Sequence, residues 1–236
     1  GQKVQAKSML HTCNVPRYHP VIWRRIQHIF GVTSEVPKHV RTKIVYLERP
    51  HSRRVINNKE LVDSVRNFIA DKNQKVQLFP LSSFPPPPKQ FLNFPTNRII
   101  QEGTEYELVI FDSKKFSSFI ETRDYFNFKV RAVFGPHGGA FYNINFCPRE
   151  TLVIEFFPFT NARGTVEAIR WPEGTWWQSA ALGHNYWQMP YLSGAGGGDI
   201  TVNVDDVITI LANELDEEDP LASGASGHYK EREWDL

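Results

Sequence analysis

The sequence has little cysteine and no long apolar run. Cys13 and Cys147 are the only cysteines among 236 residues, and they allow either one disulfide or two free thiols. No stretch of about 18 consecutive apolar residues occurs, so no transmembrane helix is expected. The basic and apolar regions of a signal peptide are missing at its start, so we expect none within this sequence. It also lacks an Asn-x-Ser/Thr site, so glycosylation indicates no compartment.

An excess of charge of one sign is missing as well. The sequence carries 27 basic and 26 acidic residues, for a formal net charge of +1. This balance predicts neither a nucleic-acid partner nor binding to a membrane surface. Hydrophobic residues make up 41% of the sequence and aromatic residues 13%. That composition can bury a sizeable core in one large domain or two small ones.

Several motifs that mark common sites are absent. The sequence contains no Asp-x-Asp and no His-Glu-x-x-His, so no metal site and no cofactor are expected. It also contains no Gly-x-Gly-x-x-Gly and no Walker loop, which disfavours NAD-dependent enzymes and P-loop nucleotide hydrolases. Protein groups are therefore expected to balance the charge of any bound phosphate.

A Gly-rich turn between a strand and a helix is the most informative feature present. Arg131–Phe134 predicts a short buried strand, Gly135–Gly139 a tight turn, and Ala140 the start of a helix. Backbone N–H groups at such a turn point outward, and the helix dipole adds partial positive charge, so the turn suits an anion. His137 carries the only reactive side chain of the turn. A turn that only connects two elements has the same pattern.

An arginine-rich turn precedes it in the chain. Lys43–Leu47 predicts a strand, and the segment after it contains Arg49, Arg53 and Arg54. Asn57, with a glutamate three residues later, has the pattern of a capping box and predicts the start of a helix with an apolar face. This is a second strand, turn and helix in sequence.

Strands and helices alternate through most of the sequence. The further predicted elements are the helices Val21–Phe30, Lys114–Phe128 (capped by Ser113), Asn161–Trp171 and Val204–Leu215 and the strands Glu107–Phe111, Leu152–Phe157 and Tyr186–Met189. Val76–Phe79 is either a strand or part of a loop. The alternation predicts an α/β fold, a Rossmann-like parallel sheet with helices on both faces. In such sheets ligands bind beyond the carboxyl ends of the strands, where the two turns are expected to meet.

Composition divides the sequence into segments. We expect an N-terminal arm and helix over residues 1–42, a Rossmann-like domain over residues 43–215 and a flexible acidic tail over residues 216–236. Residues 72–104 are interpreted as an insertion, because Phe84–Pro88 suits neither a helix nor a central strand. This Pro-rich stretch is either a polyproline II excursion or a ligand for an SH3-type domain.

One carboxylate stands inside an apolar run. Glu155 lies within Leu152–Phe157, where a charge is costly unless it is paired or faces a ligand at the end of a strand. It either accepts hydrogen bonds from the hydroxyl groups of a ligand or forms a salt bridge with Arg149 or Arg170.

Three motifs together resemble the donor-binding lobe of family 61 glycosyltransferases. They are Ser52–Asn57, Gly135–Gly139 followed by Asn143, and Leu152–Pro158. The resemblance runs in order through most of the sequence, from about residue 43 to residue 215. The family includes plant xylan xylosyl- and arabinosyltransferases and animal O-linked and O-mannosyl N-acetylglucosaminyltransferases.

The resemblance implies one lobe of a GT-B-type glycosyltransferase that uses a UDP-sugar donor with inversion, in the Golgi or endoplasmic reticulum. It also implies an acceptor lobe outside this sequence, on which activity depends. Family members commonly have Gly-Pro-His-Gly-Ala-Gly-Leu before the asparagine, whereas this sequence has Gly-Pro-His-Gly-Gly-Ala-Phe-Tyr. The small residues are kept, so the turn should survive, but the donor sugar stays open.

The resemblance also assigns roles to individual positions. Transfer requires a neutralised leaving diphosphate, a proton acceptor for the attacking hydroxyl and a donor held in line. Guanidinium groups suit phosphate oxygens, although Arg54 is also interpreted as a solvated surface charge. His137 is the candidate catalytic residue. It either acts as the base or donates a hydrogen bond to the UDP-sugar, and the alternative is that it is a structural histidine. The residues expected to bind substrate are Arg49, Arg53, Arg54, Gly135, Pro136, Gly138, Gly139, Asn143 and Glu155.

Some positions have a second interpretation. Asn143 either binds the donor or bonds the backbone of its own helix. Trp176, Trp177 and Trp187 either stack on uracil or pack in the core, as most aromatic side chains do.

Two functions from different classes remain. The first is a glycosyltransferase that moves a sugar from a UDP-sugar to a hydroxyl group of a glycan or glycoprotein. The second is a non-catalytic interaction module, a degenerate lobe that packs on a partner through its Trp-rich segment and Pro-rich loop.

Overall fold

Five strands pair in parallel into one sheet. A computed structural model of the protein describes residues 20–77, 105–159, 174–192 and 198–216. The strands are β1 (Lys43–Tyr46), β2 (Glu107–Ile110), β3 (Val130–Pro136), β4 (Leu152–Phe159) and β5 (Asn185–Leu192). Their order across the sheet is β2-β1-β3-β4-β5. The predicted Rossmann-like parallel sheet is therefore confirmed.

Helices cover both faces of this sheet. The helices are α1 (Pro20–Ile29), α2 (Asn58–Gln77), α3 (Phe119–Lys129), α4 (Gly174–Leu182) and α5 (Val204–Asp216), with 3₁₀ helices at Lys38–Val40, Ser113–Lys115 and Gly139–Phe146. α2 and α5 pack on one face, and the other helices that pack on the sheet lie across the opposite face. None of the helices in the described ranges combines the length and the apolar character needed to cross a bilayer.

Two buried clusters divide the core according to the alternation of side chains along each strand. Ile44 and Phe134 face α2 and α5, and the Phe134 ring stacks on Tyr46 with ring centroids 4.9 Å apart. Val45 and Val133 face α3 and the 3₁₀ helix Gly139–Phe146. Because parallel strands are buried on both faces, β3 and β4 are almost continuously apolar, and this is why their positions could be predicted.

The strand order places a crevice between β1 and β3. The chain runs from β1 outward to the edge strand β2, and then crosses over to β3 on the other side of β1. In doubly wound sheets of this order, the connections that follow β1 and β3 run to opposite faces of the sheet. They leave a ligand-binding crevice between them at the carboxyl ends of the two strands. The arginine-rich turn follows β1, and the Gly-rich turn follows β3.

The predicted start of α3 was wrong. Ser113 begins a short 3₁₀ helix, and α3 starts at Phe119, with Ser118 as its N-cap. Ser118 Oγ accepts a hydrogen bond from the backbone N–H of Glu121 at 3.1 Å. Glu121 in turn accepts from the backbone N–H of Ser117 at 2.6 Å. The Ser-x-x-Glu spacing therefore sets the helix start, as in a capping box.

Other local predictions also need correction. The helix expected from Ala140 is a 3₁₀ helix, and Val76 lies in the last turn of α2 instead of a strand or loop. Asn57 does not cap α2 with its side-chain oxygen, because that atom accepts from the backbone N–H of Val202 at 2.9 Å. Residues 1–19, 78–104, 160–173, 193–197 and 217–236 lie outside the described residues, and with them the Pro-rich stretch, the predicted helix Asn161–Trp171, Arg170 and Cys13.

Candidate active site

Two arginines meet at the carboxyl ends of β1 and β3. Arg49 Nη1 donates a hydrogen bond to the backbone oxygen of His137 at 2.9 Å. Arg53 Nη1 donates to the same oxygen, also at 2.9 Å. Arg49 Nη2 donates to Ser52 Oγ at 3.0 Å. The two guanidinium groups therefore lie side by side on one neutral acceptor.

The charge of this pair is not balanced by an acid in the part of the chain that the structure describes. Among the residues that the structure describes, no carboxylate forms an ion pair with Arg49 or Arg53. The pKa of Arg49 is lowered from its ordinary value by burial and by the positive charge of Arg53. Guanidinium groups keep their charge in proteins. The crevice therefore has a positive potential that favours an anion.

The conformation of Arg53 supports the same conclusion. Its backbone has a φ of 56°, in the left-handed region. That region costs a residue other than glycine about 1–2 kcal/mol. Its buried Nε finds no hydrogen-bond acceptor among the described residues. Strained conformations and unsatisfied donors in native proteins concentrate at binding sites, where a ligand supplies the missing partner.

The three glycines of the Gly-rich turn have different roles. A Cβ on Gly138 would lie 1.8 Å from Arg49 Nη1, so the bare backbone lets Arg49 cross the turn. Gly135 has a φ of 150°, and a Cβ there would lie 2.7 Å from the backbone oxygen of Leu47. A Cβ on Gly139 would meet no atom within 4 Å. Pro136 is buried at the end of β3.

The turn opens the 3₁₀ helix Gly139–Phe146. The backbone N–H of Phe141 donates to the oxygen of Gly138 at 3.0 Å, which closes the first turn of this helix. The N–H groups that precede that bond have no partner within the helix, as at any helix N-terminus. The residue before this helix, Gly138, lies against Arg49, and helix N-termini offer donors of the kind that bind phosphate oxygens.

A buried carboxylate holds the His137 ring. His137 Nδ1 lies 2.5 Å from Glu155 Oε1, and the Glu155 side chain is fully buried, whereas 25% of the His137 side chain is exposed. Thr175 Oγ1 donates to Glu155 Oε1 at 2.8 Å, and the Tyr186 hydroxyl donates to Oε2. Among the described residues, this carboxylate therefore bonds three side chains, those of His137, Thr175 and Tyr186.

These features agree with the comparison of the chain with known proteins. The sequence profile of the glycosyltransferase 61 family matches residues 4–154, more than half of the chain. The chain belongs to the glycosyltransferase 61 family. No curated protein matches the chain with significance. A sugar donor and an acceptor follow from membership of a glycosyltransferase family. The matched region contains both turns and ends one residue before Glu155.

Arg54 and Asn143, which were also expected to bind substrate, have other contacts. Arg54 Nε and Nη2 donate to Asp199 Oδ2 at 3.0 and 2.6 Å, and 59% of the Arg54 side chain is exposed. The hydrogen bonds from Arg54 lower the pKa of Asp199. Asn143 Nδ2 donates to the backbone oxygen of Ala140 at 2.9 Å, within its own 3₁₀ helix. The structure thus brings Arg49, Arg53 and His137 together and directs Arg54 to another segment.

Sequence reasoning missed the residues that support the site of the glycosyltransferase. Thr175 opens α4, Tyr186 lies on β5, and Asp199 follows β5. The charge inside the apolar run of β4 indicated that partners must exist, but their identity depends on contacts between distant segments.

Trp187 Nε1 donates to Glu214 Oε1 at 2.9 Å. Within the described ranges, no group of three or more His, Cys, Asp or Glu side chains is arranged to hold a metal ion.

Proposed function

We propose that this glycosyltransferase binds the diphosphate of a UDP-sugar at Arg49 and Arg53. The sugar would pass with inversion to a hydroxyl group of a glycan or glycoprotein, without a metal ion. The observation that carries the proposal is the pair of guanidinium groups, free of any described acid partner, in the crevice between β1 and β3. The nucleotide and a Golgi or endoplasmic reticulum setting rest on the family resemblance alone.

The chemistry of a diphosphate matches this crevice. Guanidinium groups present fixed, paired N–H donors that fit phosphate oxygens, and two of them supply about the positive charge that a divalent cation would. The N–H groups that open the 3₁₀ helix supply further donors. We therefore propose that residues 43–215 form the donor-binding domain, and that the diphosphate lies across Arg49, Arg53 and the turn at Gly138 and Gly139.

His137 connects the diphosphate site with the transfer step. Its backbone oxygen holds both guanidinium groups, and its partly exposed side chain lies beside them. We propose His137 as the catalytic residue that receives the proton of the attacking hydroxyl. In an inverting transfer the new glycosidic bond forms as the bond between the sugar and the diphosphate breaks, and the arginines stabilise the charge of the leaving diphosphate.

The assembled site favours this function over a degenerate lobe that serves only as an interaction module. Two partly buried arginines without a described acid partner repel each other, and a bound anion would offset this cost. If the module hypothesis were correct, replacing Arg53 would leave partner binding intact.

Calorimetric titration with UDP tests the proposal. We expect UDP to bind and to raise the melting temperature, and we expect Arg49→Ala and Arg53→Ala to weaken binding at least ~10-fold, because a hydrogen bond between charged groups contributes about 1.5–3 kcal/mol.

Arg54→Ala is the matched control. It removes an arginine from the same turn, but one paired with Asp199, and the backbone N–H of Arg54 still donates to Asp199 Oδ1. We expect this variant to bind UDP as the parent does. The proposal is wrong if UDP fails to bind at millimolar concentration, or if the Arg49 and Arg53 variants bind it as well as the Arg54 variant.

A further inference from the structure

We infer that Glu155 is a positioning residue. With Thr175 and Tyr186 it fixes His137 in the tautomer that carries its proton on Nδ1, and this leaves Nε2 as the proton acceptor for the attacking hydroxyl. The sequence suggested instead that Glu155 either accepts hydrogen bonds from the hydroxyl groups of a ligand or forms a salt bridge with Arg149 or Arg170. The role of Nε2 rests on the proposed function, whereas the tautomer is a property of the protein alone.

The contacts of the carboxylate determine where the histidine proton lies. An ionised carboxylate only accepts hydrogen bonds, and Thr175 and Tyr186 already donate to its two oxygens. If Nδ1 carried no proton, two acceptors would face each other at 2.5 Å, one of them on a fully buried carboxylate. Such a contact would cost far more than the hydrogen bond that a proton on Nδ1 provides. Burial and the charge of Glu155 raise the pKa of the Tyr186 hydroxyl, so this group stays a donor.

The backbone and the ring of His137 have further contacts. The backbone N–H of His137 donates to the oxygen of Phe156 at 2.8 Å, and its backbone oxygen accepts from the two arginines. The Phe157 ring packs against the imidazole, with centroids 5.6 Å apart and an angle of 68° between the planes. Within the described part of the chain, Nε2 makes no hydrogen bond, so it is available to a substrate.

This arrangement gives the proton and the electron pair of the transfer step defined destinations. Nε2 accepts the proton of the attacking hydroxyl as the oxygen forms its bond to the anomeric carbon, and the electron pair of the broken bond leaves with the diphosphate. The imidazolium that results is stabilised by the Glu155 carboxylate, and it later returns the proton to water. Glu155 therefore acts through His137 without touching either substrate.

The tautomer can be read directly from the ¹⁵N chemical shifts of the ring in two-bond ¹H–¹⁵N spectra of the labelled protein. His137→Gln identifies the His137 signals by their loss. We expect a protonated Nδ1 and an unprotonated Nε2 in the neutral ring. A neutral ring with its proton on Nε2, the tautomer that free histidine favours in water, would overturn the inference, because it would require Glu155 to donate to Nδ1.

A second variant tests the cause. Glu155→Gln keeps the shape of the side chain but removes its charge, and we expect it to reduce the Nδ1–H preference while UDP binds as before. Glu48→Gln, which changes an exposed carboxylate on the arginine-rich turn, is the control and should leave the tautomer as it is. An unchanged tautomer in Glu155→Gln would contradict the inference. If Glu155→Gln does not fold, the parent spectrum still decides.

The two proposals can fail separately. If UDP does not bind the parent protein but His137 carries its proton on Nδ1, the proposed function fails and the tautomer assignment stands. If UDP binds as expected but the proton lies on Nε2, the tautomer assignment fails and the proposed diphosphate site stands.

Discussion

Replacing Gly138 by alanine should perturb the candidate site while the protein still folds. The added Cβ would lie 1.8 Å from Arg49 Nη1 and 2.9 Å from Cζ, so the guanidinium must leave its place above the turn. The clash is with the end of a flexible side chain and not with the backbone. Gly138 has a φ of 167°, which is extended backbone that alanine can adopt. The variant should therefore fold with Arg49 displaced.

The structure sets the expected magnitudes. The folded protein loses the hydrogen bond from Arg49 to the oxygen of His137, which lowers the free energy of unfolding by about 1–2 kcal/mol for a partly exposed charged donor. It regains about 0.4–1 kcal/mol, because alanine restricts the unfolded chain. The net loss of stability should therefore lie between about 0 and 1.6 kcal/mol. Binding of UDP loses one guanidinium contact, so the affinity should fall about 10-fold or more.

Thermal unfolding and calorimetric titration with UDP measure the two effects on the same protein. Gly174→Ala is the matched control, because a Cβ there meets nothing within 4 Å and Gly174 lies at the start of α4, outside the proposed diphosphate site, so UDP binding should stay as it is. If Gly138→Ala bound UDP as tightly as Gly174→Ala, Arg49 would have no part in diphosphate binding and the reasoning would be refuted.

Three further predictions concern the fold around the site. Gly135→Ala should lower the free energy of unfolding by about 1–3 kcal/mol in urea, because its Cβ meets the backbone oxygen of Leu47 at a φ of 150°; a change below the experimental error would contradict this. Burial, with a smaller contribution from the charge of Arg41, lowers the pKa of His184 to about 4, so the folded protein keeps this ring neutral. The contribution of the neutral His184 ring to stability is complete above the unfolded pKa of about 6.5 and is lost as the pH falls toward 4. The free energy of unfolding should therefore fall by about 2 kcal/mol between pH 7 and pH 5. His184→Gln should remove that part of the decrease. Burial raises the pKa of Cys147 to about 12, so an aromatic disulfide reagent at pH 8 should label this thiol only after unfolding, and rapid labelling of the native protein would be inconsistent with its burial.

Much of the site could be predicted because parallel sheets place the ends of their strands together. The apolar runs of β3 and β4 predicted both strands, and the turns after β1 and β3 were expected to meet. The structure brings Arg49, Arg53 and His137 within hydrogen-bond distance, which agrees with that expectation.

The remaining details depend on information that is not local. Whether Arg53 or Arg54 enters the crevice depends on the left-handed backbone at Arg53, and Asp199, 145 residues further along the chain, holds Arg54 outside. The partners of Glu155 come from α4 and β5, and no spacing in the sequence relates them. The start of α3 could have been predicted, because Ser118 and Glu121 have the spacing of a capping box.

A crystal structure of the protein with UDP tests the central claim most directly. The account predicts diphosphate oxygens within about 2.7–3.2 Å of the guanidinium groups of Arg49 and Arg53, beside the turn at Gly138. A diphosphate bound elsewhere, for example against Arg54 or in the cavity between β5 and α5 lined by Trp187 and Asp206, would contradict it.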